Sequence, residues 1–298
     1  MPELPEVQTI VNDLNKKIIK RKITGVWFDA PKIIKKPAVK EFEKQIKGLK
    51  IIKVERRGKN ILVHLTKNYK LKAQSYLLLI HQKMTGHLLV GKWKRGKGKW
   101  NSLIKGVMDE KVNNYIHIIF YLDNGFQLAL SDLRKFAKIM FGPEEEIKNL
   151  PDIKDIGIDP FDKKLSLKVF KEIIGSQKRP IKEVLMEQKL VSGIGNIYSD
   201  EILWLAKIHP LRSSNNLSDM ELKSIYNSMK VILKKAIKLR GTSISDYRDA
   251  SGKPGMYGKE RYVYRKEGEL CPRGDAVIVR IKVKNNRSAH FCPVCQKM

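Results

Sequence analysis

The tripeptide Met1-Pro2-Glu3 offers the first chemistry in the chain. Removal of Met1 exposes a secondary amine at Pro2. An α-amino group titrates near pKa ~8, so an appreciable fraction is unprotonated and nucleophilic at neutral pH. Attack on an aldehyde-like sugar carbon gives an iminium, which acts as an electron sink for later elimination. Glu3 beside it is suited to proton transfer. The same two residues also suit the start of a helix with no chemistry at all. A second feature is Asn196, within Leu190-Val-Ser-Gly-Ile-Gly-Asn-Ile-Tyr198. There a glycine-bearing turn opens a helix, and backbone N–H groups at such a terminus favour an anion such as phosphate. The three cysteines, Cys271, Cys292 and Cys295, all fall in the last 28 residues and cannot make a secreted disulfide framework.

These groups need elements to position them. Val7, Ile10, Val11, Leu14 and Ile18 recur at helical spacing, so 5–20 reads as an amphipathic helix. From about 22 to 142 the pattern changes to short apolar runs: Ile23–Phe28, Ile51–Val54, Ile61–Leu65, Ser75–Ile80, Tyr115–Leu122 and Phe126–Leu130. Asp123-Asn124-Gly125 is a hairpin turn. Residues 91–112 are rich in Gly, Lys and Trp without clear periodicity and read as a basic surface loop. After Pro151 the pattern is helical. Ser218 and Glu221 form a capping box ahead of Leu222, Ile225, Met229, Ile232 and Ala236, with Gly241 as the stop. Residues 242–262 read as a flexible loop and 263–298 as a hairpin.

The expected fold is therefore α+β and multidomain. An antiparallel β-sandwich with a leading helix spans 1–145, a helical domain 146–241, a loop 242–262 and a terminal hairpin module 263–298. Among 298 residues, 60 Lys and Arg face 31 Asp and Glu, a net charge of +29. That excess points to a polyanion, nucleic acid first. An apolar share of 42% excludes a mainly disordered chain. No apolar run approaches the roughly 18–20 residues of a membrane span. The acidic start MPELPEVQTI lacks a signal-peptide pattern, so a soluble, intracellular protein is expected.

The run PELPEV at the N-terminus resembles that of the formamidopyrimidine-DNA glycosylases, bacterial base-excision enzymes related to endonuclease VIII. The resemblance recurs in order along the chain. Arg56-Arg57-Gly58-Lys59 is similar to the family's hairpin, and Lys83-Met84-Thr85-Gly86 to its Met-bearing loop. Asp132-Leu-Arg134-Lys135-Phe136 is similar to its Asp-Pro-Arg-Arg/Lys-Phe segment. Val191–Tyr198 followed by Ile208-His209-Pro210 resembles its helix–two-turn–helix, and Arg287–Gln296 its zinc-finger hairpin. The resemblance implies Pro2 as the Schiff-base nucleophile toward C1′ and Glu3 as the acid that helps open the sugar. It implies Lys59 as proton donor in β-elimination and Arg287 in δ-elimination. A permanently charged Arg is a poor acid, so Arg287 is expected mainly to grip phosphate. Lys178 and Asn196 match phosphate-contacting positions. Met84, Arg134 and Phe136 resemble the trio that fills the space of an extruded base; apolar wedges offset an unstacking cost of a few kcal/mol. Without the resemblance, Met84 and Phe136 would be ordinary core residues and Lys59 a solvated turn lysine. The segment Gly241–Gly255 resembles the lesion-capping loop of the branch that acts on oxidised purines.

The sequence also departs from the family. A zinc hairpin wants two Cys-x-x-Cys pairs; Cys292 and Cys295 form one, but the other reads Cys271-Pro-Arg-Gly274, with Gly in the fourth position. Zn²⁺ would be held by three thiolates with water, Asp275 or His290 as fourth ligand; alternatively the hairpin is metal-free. His290 reads more as a strand residue than a ligand. Leu133 replaces the usual Pro, Ala137 the usual Gly, and Tyr115 a DNA-contacting His. The resemblance thus implies a bifunctional glycosylase and AP lyase that removes 8-oxoguanine and formamidopyrimidines by β,δ-elimination. It implies double-stranded DNA with oxidised bases or abasic sites as partner, no organic cofactor, no membrane, a monomer, and a cytoplasmic, nucleoid-associated location. The rivals are an oxidised-pyrimidine glycosylase of the endonuclease VIII type and a noncatalytic damaged-DNA binder. RNA-binding signatures are not recognisable.

Overall fold

The computed structural model describes residues 1–67, 75–244, 246–274, 276–283 and 286–298. They form two compact units, 1–154 with 239–256, and 155–238 with 257–298. Residues 146–154 join the first unit because the short helices after the sandwich cover its sheet. Residues 242–256 join it because they are hydrogen-bonded to its leading helix. The sequence boundaries at 145 and 241 did not anticipate this exchange.

The first unit opens with helix α1, Leu4–Lys17. Its Val7, Ile10 and Leu14 are fully buried, as their spacing requires. Then follow β1 (Ile23–Phe28), β2 (Ile34–Lys36), α2 (Val39–Ile46), β3 (Lys50–Arg57), β4 (Asn60–Thr66), β5 (Ser75–His81) and β6 (His87–Gly91). Strands β7 (Trp93–Gly96), β8 (Lys99–Ser102), β9 (Ile116–Leu122), β10 (Gln127–Ser131) and β11 (Lys138–Pro143) come next, with α3 (Glu144–Lys148) and α4 (Pro151–Lys154). One sheet has the order β1-β9-β10-β6 and the other β2-β11-β5-β4-β3. All pairs are antiparallel except β2 with β11, which is parallel. The alternation of strand side chains sends Ile61, Val63, Leu78, Ile80 and Phe141 from one sheet against Leu88, Ile118, Phe120 and Leu130 from the other, with α1 and α2 closing this core. The outer face of the five-stranded sheet packs Leu62, Leu77 and Leu79 against Ile147 and Ile153 of α3 and α4. The turn at Asp123–Gly125 forms as expected, with Gly125 at φ +75°.

Residues 91–112 are basic and their cations lie at the surface as expected, but the segment is an ordered element rather than a loop. Strands β7 and β8 pair as a ribbon, and short 3₁₀ turns follow at Val107–Asp109 and Lys111–Asn114. Trp93 and Trp100 supply the reason, since both are buried in the cluster on the outer face of the four-stranded sheet. The sequence there is too short and too cationic to show a period.

The second unit contains α5 (Leu167–Gly175), α6 (Ile181–Met186), α7 (Asn196–Ala206), α8 (Asp219–Lys238) and the hairpin β12 (Val279–Val283) with β13 (Arg287–Phe291). Ser218 and Glu221 make the expected capping box: Ser218 N donates to Glu221 Oε2 at 2.8 Å and Glu221 N to Ser218 Oγ at 3.3 Å. Helix α7 organises the unit through two adjacent buried acids. Glu201 accepts backbone N–H bonds from Tyr262, Val263 and Tyr264 and the hydroxyl of Tyr257. Burial pushes its carboxyl up, against four donors that hold it down. Asp200 pairs with buried Lys182 and accepts the backbone and ring N–H of His290 at 3.0 Å. His290 therefore sits in β13 as a strand residue bonded to α7. No helix of the described residues is long and apolar enough to cross a membrane.

Candidate active site

In the first unit Pro2 is buried and Glu3 occupies the N-cap of α1. Glu6, 1% exposed, fixes this terminus. Its Oε2 accepts Glu3 N at 2.7 Å, while its Oε1 accepts Thr242 N at 2.7 Å. One carboxylate thus holds both the Pro2–Glu3 end and the start of the 242–256 segment. Tyr247 donates its hydroxyl to Glu6 O, and Arg240 bridges Asp13 of α1 to Asp249. The segment expected to be flexible is instead tethered at several points; Ser245 lies outside the described residues. Gly241 sits at φ +80°, and a Cβ there would meet Glu6 Oε1 at 2.7 Å, so only glycine fits.

Lys59 is buried at the β3–β4 turn, after Gly58 at φ +58°. That hairpin is tied to α1 by Asn15, which donates to Val54 O at 2.6 Å and accepts Val54 N at 3.1 Å. Arg56 Nε adds a bond to Gln8 at 3.0 Å, and its NH1 one to Gly58 O at 3.1 Å. The helix that carries Pro2 and the turn that carries Lys59 are therefore one framework. His81, next in β5, is pushed down to about 3 by burial, helped by the charges of Lys83 and Lys59. A lysine in this setting meets no charged imidazole at neutral pH.

Met84, Arg134 and Phe136 lie together on the surface. Arg134 NH1 is 3.2 Å from Met84 Sδ, and its guanidinium lies 4.5 Å over the Phe136 ring. Met84 and Phe136 are 48% and 50% exposed, so neither is a core residue. Asp132, fully buried, positions them. It accepts the Thr85 hydroxyl and Ala137 N, the latter at 2.7 Å, and Arg134 N donates to Thr85 Oγ1 at 3.2 Å. The loops carrying Met84 and Arg134 are so joined through one carboxylate. Leu133, 49% exposed, is accommodated in the turn. Tyr115 is half-buried just before β9, and its carbonyl accepts Asp132 N at 2.8 Å.

In the second unit Asn196 is the first residue of α7, after Gly195. Among the described residues its buried Oδ1 has no hydrogen-bond partner, and its Nδ2 is 3.5 Å from Tyr264 Oη. Lys178 is exposed ahead of α6. Arg287 opens β13 and lines a cavity of about 340 Å³ with Arg179, Lys182, Glu183 and Gln188 among others. The three cysteines are brought together, their Sγ atoms within 4.8 Å of one another. Gly274 offers no side chain at the fourth position and turns at φ +78°; Asp275 lies outside the described residues. Arg273 instead donates to Cys295 Sγ at 3.2 Å and stacks 3.9 Å over Trp204, whose indole N–H donates to Cys271 Sγ at 3.4 Å. Burial and the neighbouring thiols push Cys295 up to about 12. Three thiols at this spacing are a donor set that can hold a thiophilic cation.

Two family descriptions cover most of the chain. The formamidopyrimidine-DNA glycosylase N-terminal domain matches residues 1–139, and the formamidopyrimidine-DNA glycosylase H2TH domain residues 156–248. The chain belongs to the formamidopyrimidine-DNA glycosylase family. A family member from Desulforamulus reducens is 37% identical over 298 residues, covering 100% of this chain and 99% of its own. The Lactococcus lactis enzyme bound to abasic-site DNA superposes with a TM-score of 0.84 at 33% identity, covering 99% of this chain and 100% of its own. The wild-type L. lactis protein bound to DNA containing N7-benzyl-Fapy-dG gives 0.84 at 33% identity over 100% of both chains. Glu6, Asp132, Lys182 and Asp200 of this chain are not evident as site residues from its sequence alone. Glu6 had a signal, because Glu3-x-x-Glu6 is a capping-box spacing. Asp132 lies inside the Asp132–Phe136 motif, whose sequence does not show which groups its carboxylate meets. Lys182 and Asp200 meet only in the fold.

Proposed function

We propose that this chain is a base-excision repair DNA glycosylase and AP lyase that removes oxidised purines from duplex DNA. Family membership from residue 1 onward supports the activity. The observation that carries the catalytic reading is Glu6, whose one carboxylate pins the Pro2–Glu3 terminus and the capping segment together.

After loss of Met1, the Pro2 nitrogen attacks C1′ of the extruded nucleotide. The N–C1′ bond forms, the glycosidic bond breaks, and the base departs with a proton. Glu3 protonates the ring oxygen as the sugar opens to the iminium. Lys59 moves protons in β-elimination, and Arg287 holds a phosphate for δ-elimination. Met84 and Phe136 fill the vacated stack while Arg134 faces the orphan base. Lys178 and the N–H groups at Asn196 grip backbone phosphates, and Tyr115 donates to another. Residues 242–262 cap the lesion. Cys271, Cys292 and Cys295 would hold Zn²⁺, whose contribution is to cross-link the terminal hairpin. The protein acts as a cytoplasmic, nucleoid-associated monomer.

The test compares release of 8-oxoguanine and thymine glycol from matched duplexes by wild type and Pro2→Gly. The reading expects faster 8-oxoguanine release and none by the variant. Faster thymine glycol release, or binding with no cleavage of either duplex, overturns it.

A further inference from the structure

The β7–β8 ribbon has no part in the chemistry above. Between residues 92 and 105 stand Lys92, Lys94, Arg95, Lys97, Lys99 and Lys105, all exposed, with no acidic residue among them. Among the described residues none of these six cations pairs with an acidic side chain. One face of the ribbon is occupied. Trp93 and Trp100 are buried against Leu89, Ile116, Ile119 and Ala129. Trp100 meets Trp27 edge-on at 5.0 Å, and the Arg95 guanidinium lies 5.1 Å over the same ring. Gln127 clamps the root: its Oε1 accepts Trp93 N at 2.7 Å and its Nε2 donates to Trp93 O at 3.2 Å. The ribbon is therefore a held element. Pairing of Lys94 with Asn101 and of Gly96 with Lys99 puts Lys94, Lys99 and Asn101 on the opposite, outward face. Lys97 and Gly98 form the tip.

We propose that this ribbon is an accessory clamp on the phosphate backbone of duplex DNA, reaching flanking sequence rather than the extruded nucleotide. Strand β6 starts just after the Met84 loop and ends at Gly91, where the ribbon begins. The ribbon root thus stands one five-residue strand, roughly 16 Å, from the wedge cluster, which is about five base-pair steps of duplex. An array of exposed cations with no acidic partner among the described residues, on a narrow two-stranded element, suits a regular polyanion, and a β-ribbon is narrow enough to lie along a groove. The inference rests on the DNA reading above but concerns a separate surface.

The experiment replaces Lys94, Lys97 and Lys99 together by Gln and, as a control, by Arg. Affinity for an undamaged duplex of about 30 base pairs is measured from 50 to 200 mM KCl. Each lost phosphate contact lowers the slope of log K against log salt by about 0.9. Three lost contacts make the variant's affinity loss over this range about 40-fold smaller than that of wild type, and the Arg variant restores the wild-type slope. Single-turnover excision on a short, saturating lesion duplex stays unchanged. An unchanged slope in a Gln variant with a wild-type melting midpoint overturns the proposal. So does an equal slope change on single-stranded RNA, which would make the ribbon a generic cation patch. If wild type binds duplex through the ribbon but excises nothing, the catalytic reading fails and the clamp stands.

Discussion

Replacing Glu6 by glutamine changes one carboxylate oxygen to an amide nitrogen and leaves shape and volume almost untouched. Both oxygens of Glu6 accept backbone N–H groups at 2.7 Å, one from Glu3 and one from Thr242. In glutamine one of those positions becomes an NH₂ facing an N–H, and turning the amide only transfers the conflict to the other strand of chain. At 1% exposure no solvent replaces the lost acceptor. A hydrogen bond to a charged group contributes about 1.5–3 kcal/mol, and a stranded buried donor costs a similar amount. The expected loss is about 2–3 kcal/mol, or ~30- to 150-fold if it falls on the reactive arrangement of Pro2 and the capping segment. The assay is the rate of borohydride capture on an abasic duplex, read beside the urea unfolding midpoint. Gly241→Ala, whose Cβ would press on the same oxygen, is expected to shift both readouts the same way. Capture within twofold of wild type together with an unshifted midpoint would refute the reasoning.

Asp132→Ala removes the acceptor of Thr85 and of Ala137 N from a fully buried site; we expect about 3–5 kcal/mol lower stability and weaker binding to abasic-analogue duplex, whereas Met84→Ala lowers binding alone. Equal unfolding midpoints for the two variants in urea would contradict this. For pH, His81 in the folded chain sits near 3 against an ordinary 6.5, so between these values the unfolded chain binds the extra proton. Stability is therefore full above about pH 6.5 and falls as pH drops toward 3, by up to about 1.4 kcal/mol per pH unit. Glu55, lowered to about 2 by its hydrogen bond to His64, adds a loss below about 4.5 in the same direction. Urea midpoints at pH 7.5, 5.5 and 4.5 check this, with His81→Asn flattening the upper part; a flat wild-type profile is the failing outcome. At the thiol cluster, we expect one zinc per chain by elemental analysis, lost in Cys292→Ser with a lower melting midpoint. A metal-free wild type whose midpoint chelator leaves unchanged would remove zinc from the account.

Much of the architecture was legible because it is written in local periods. The apolar spacing of α1, the alternating strands and the Asp123–Gly125 turn follow from neighbours in sequence. The capping box at Ser218 and Glu221 follows from spacing alone. What remained hidden depends on long-range pairing. The β7–β8 ribbon is set by two tryptophans that find Leu89 and Ile119 on a sheet the ribbon does not belong to. The exchange of residues 239–256 into the first unit follows from Glu6 and Asp13 on a helix more than 220 positions earlier. Among the site residues, the Met84–Arg134–Phe136 cluster was expected from motif order, but the carboxylate that joins its two loops was not. Buried acids leave no periodic trace; their role is decided by which backbone N–H groups they meet.

The central claim is a covalent one, that the Pro2 nitrogen bonds to C1′. Borohydride reduction during reaction with an 8-oxoguanine duplex, followed by proteolysis and mass spectrometry, tests it most directly. The account predicts one cross-linked peptide, carrying the reduced sugar on the amino-terminal nitrogen of Pro2 with Met1 absent, and no adduct in Pro2→Gly under the same pulse. A sugar adduct mapped to Lys59 or any other lysine, with Pro2 unmodified, would contradict it.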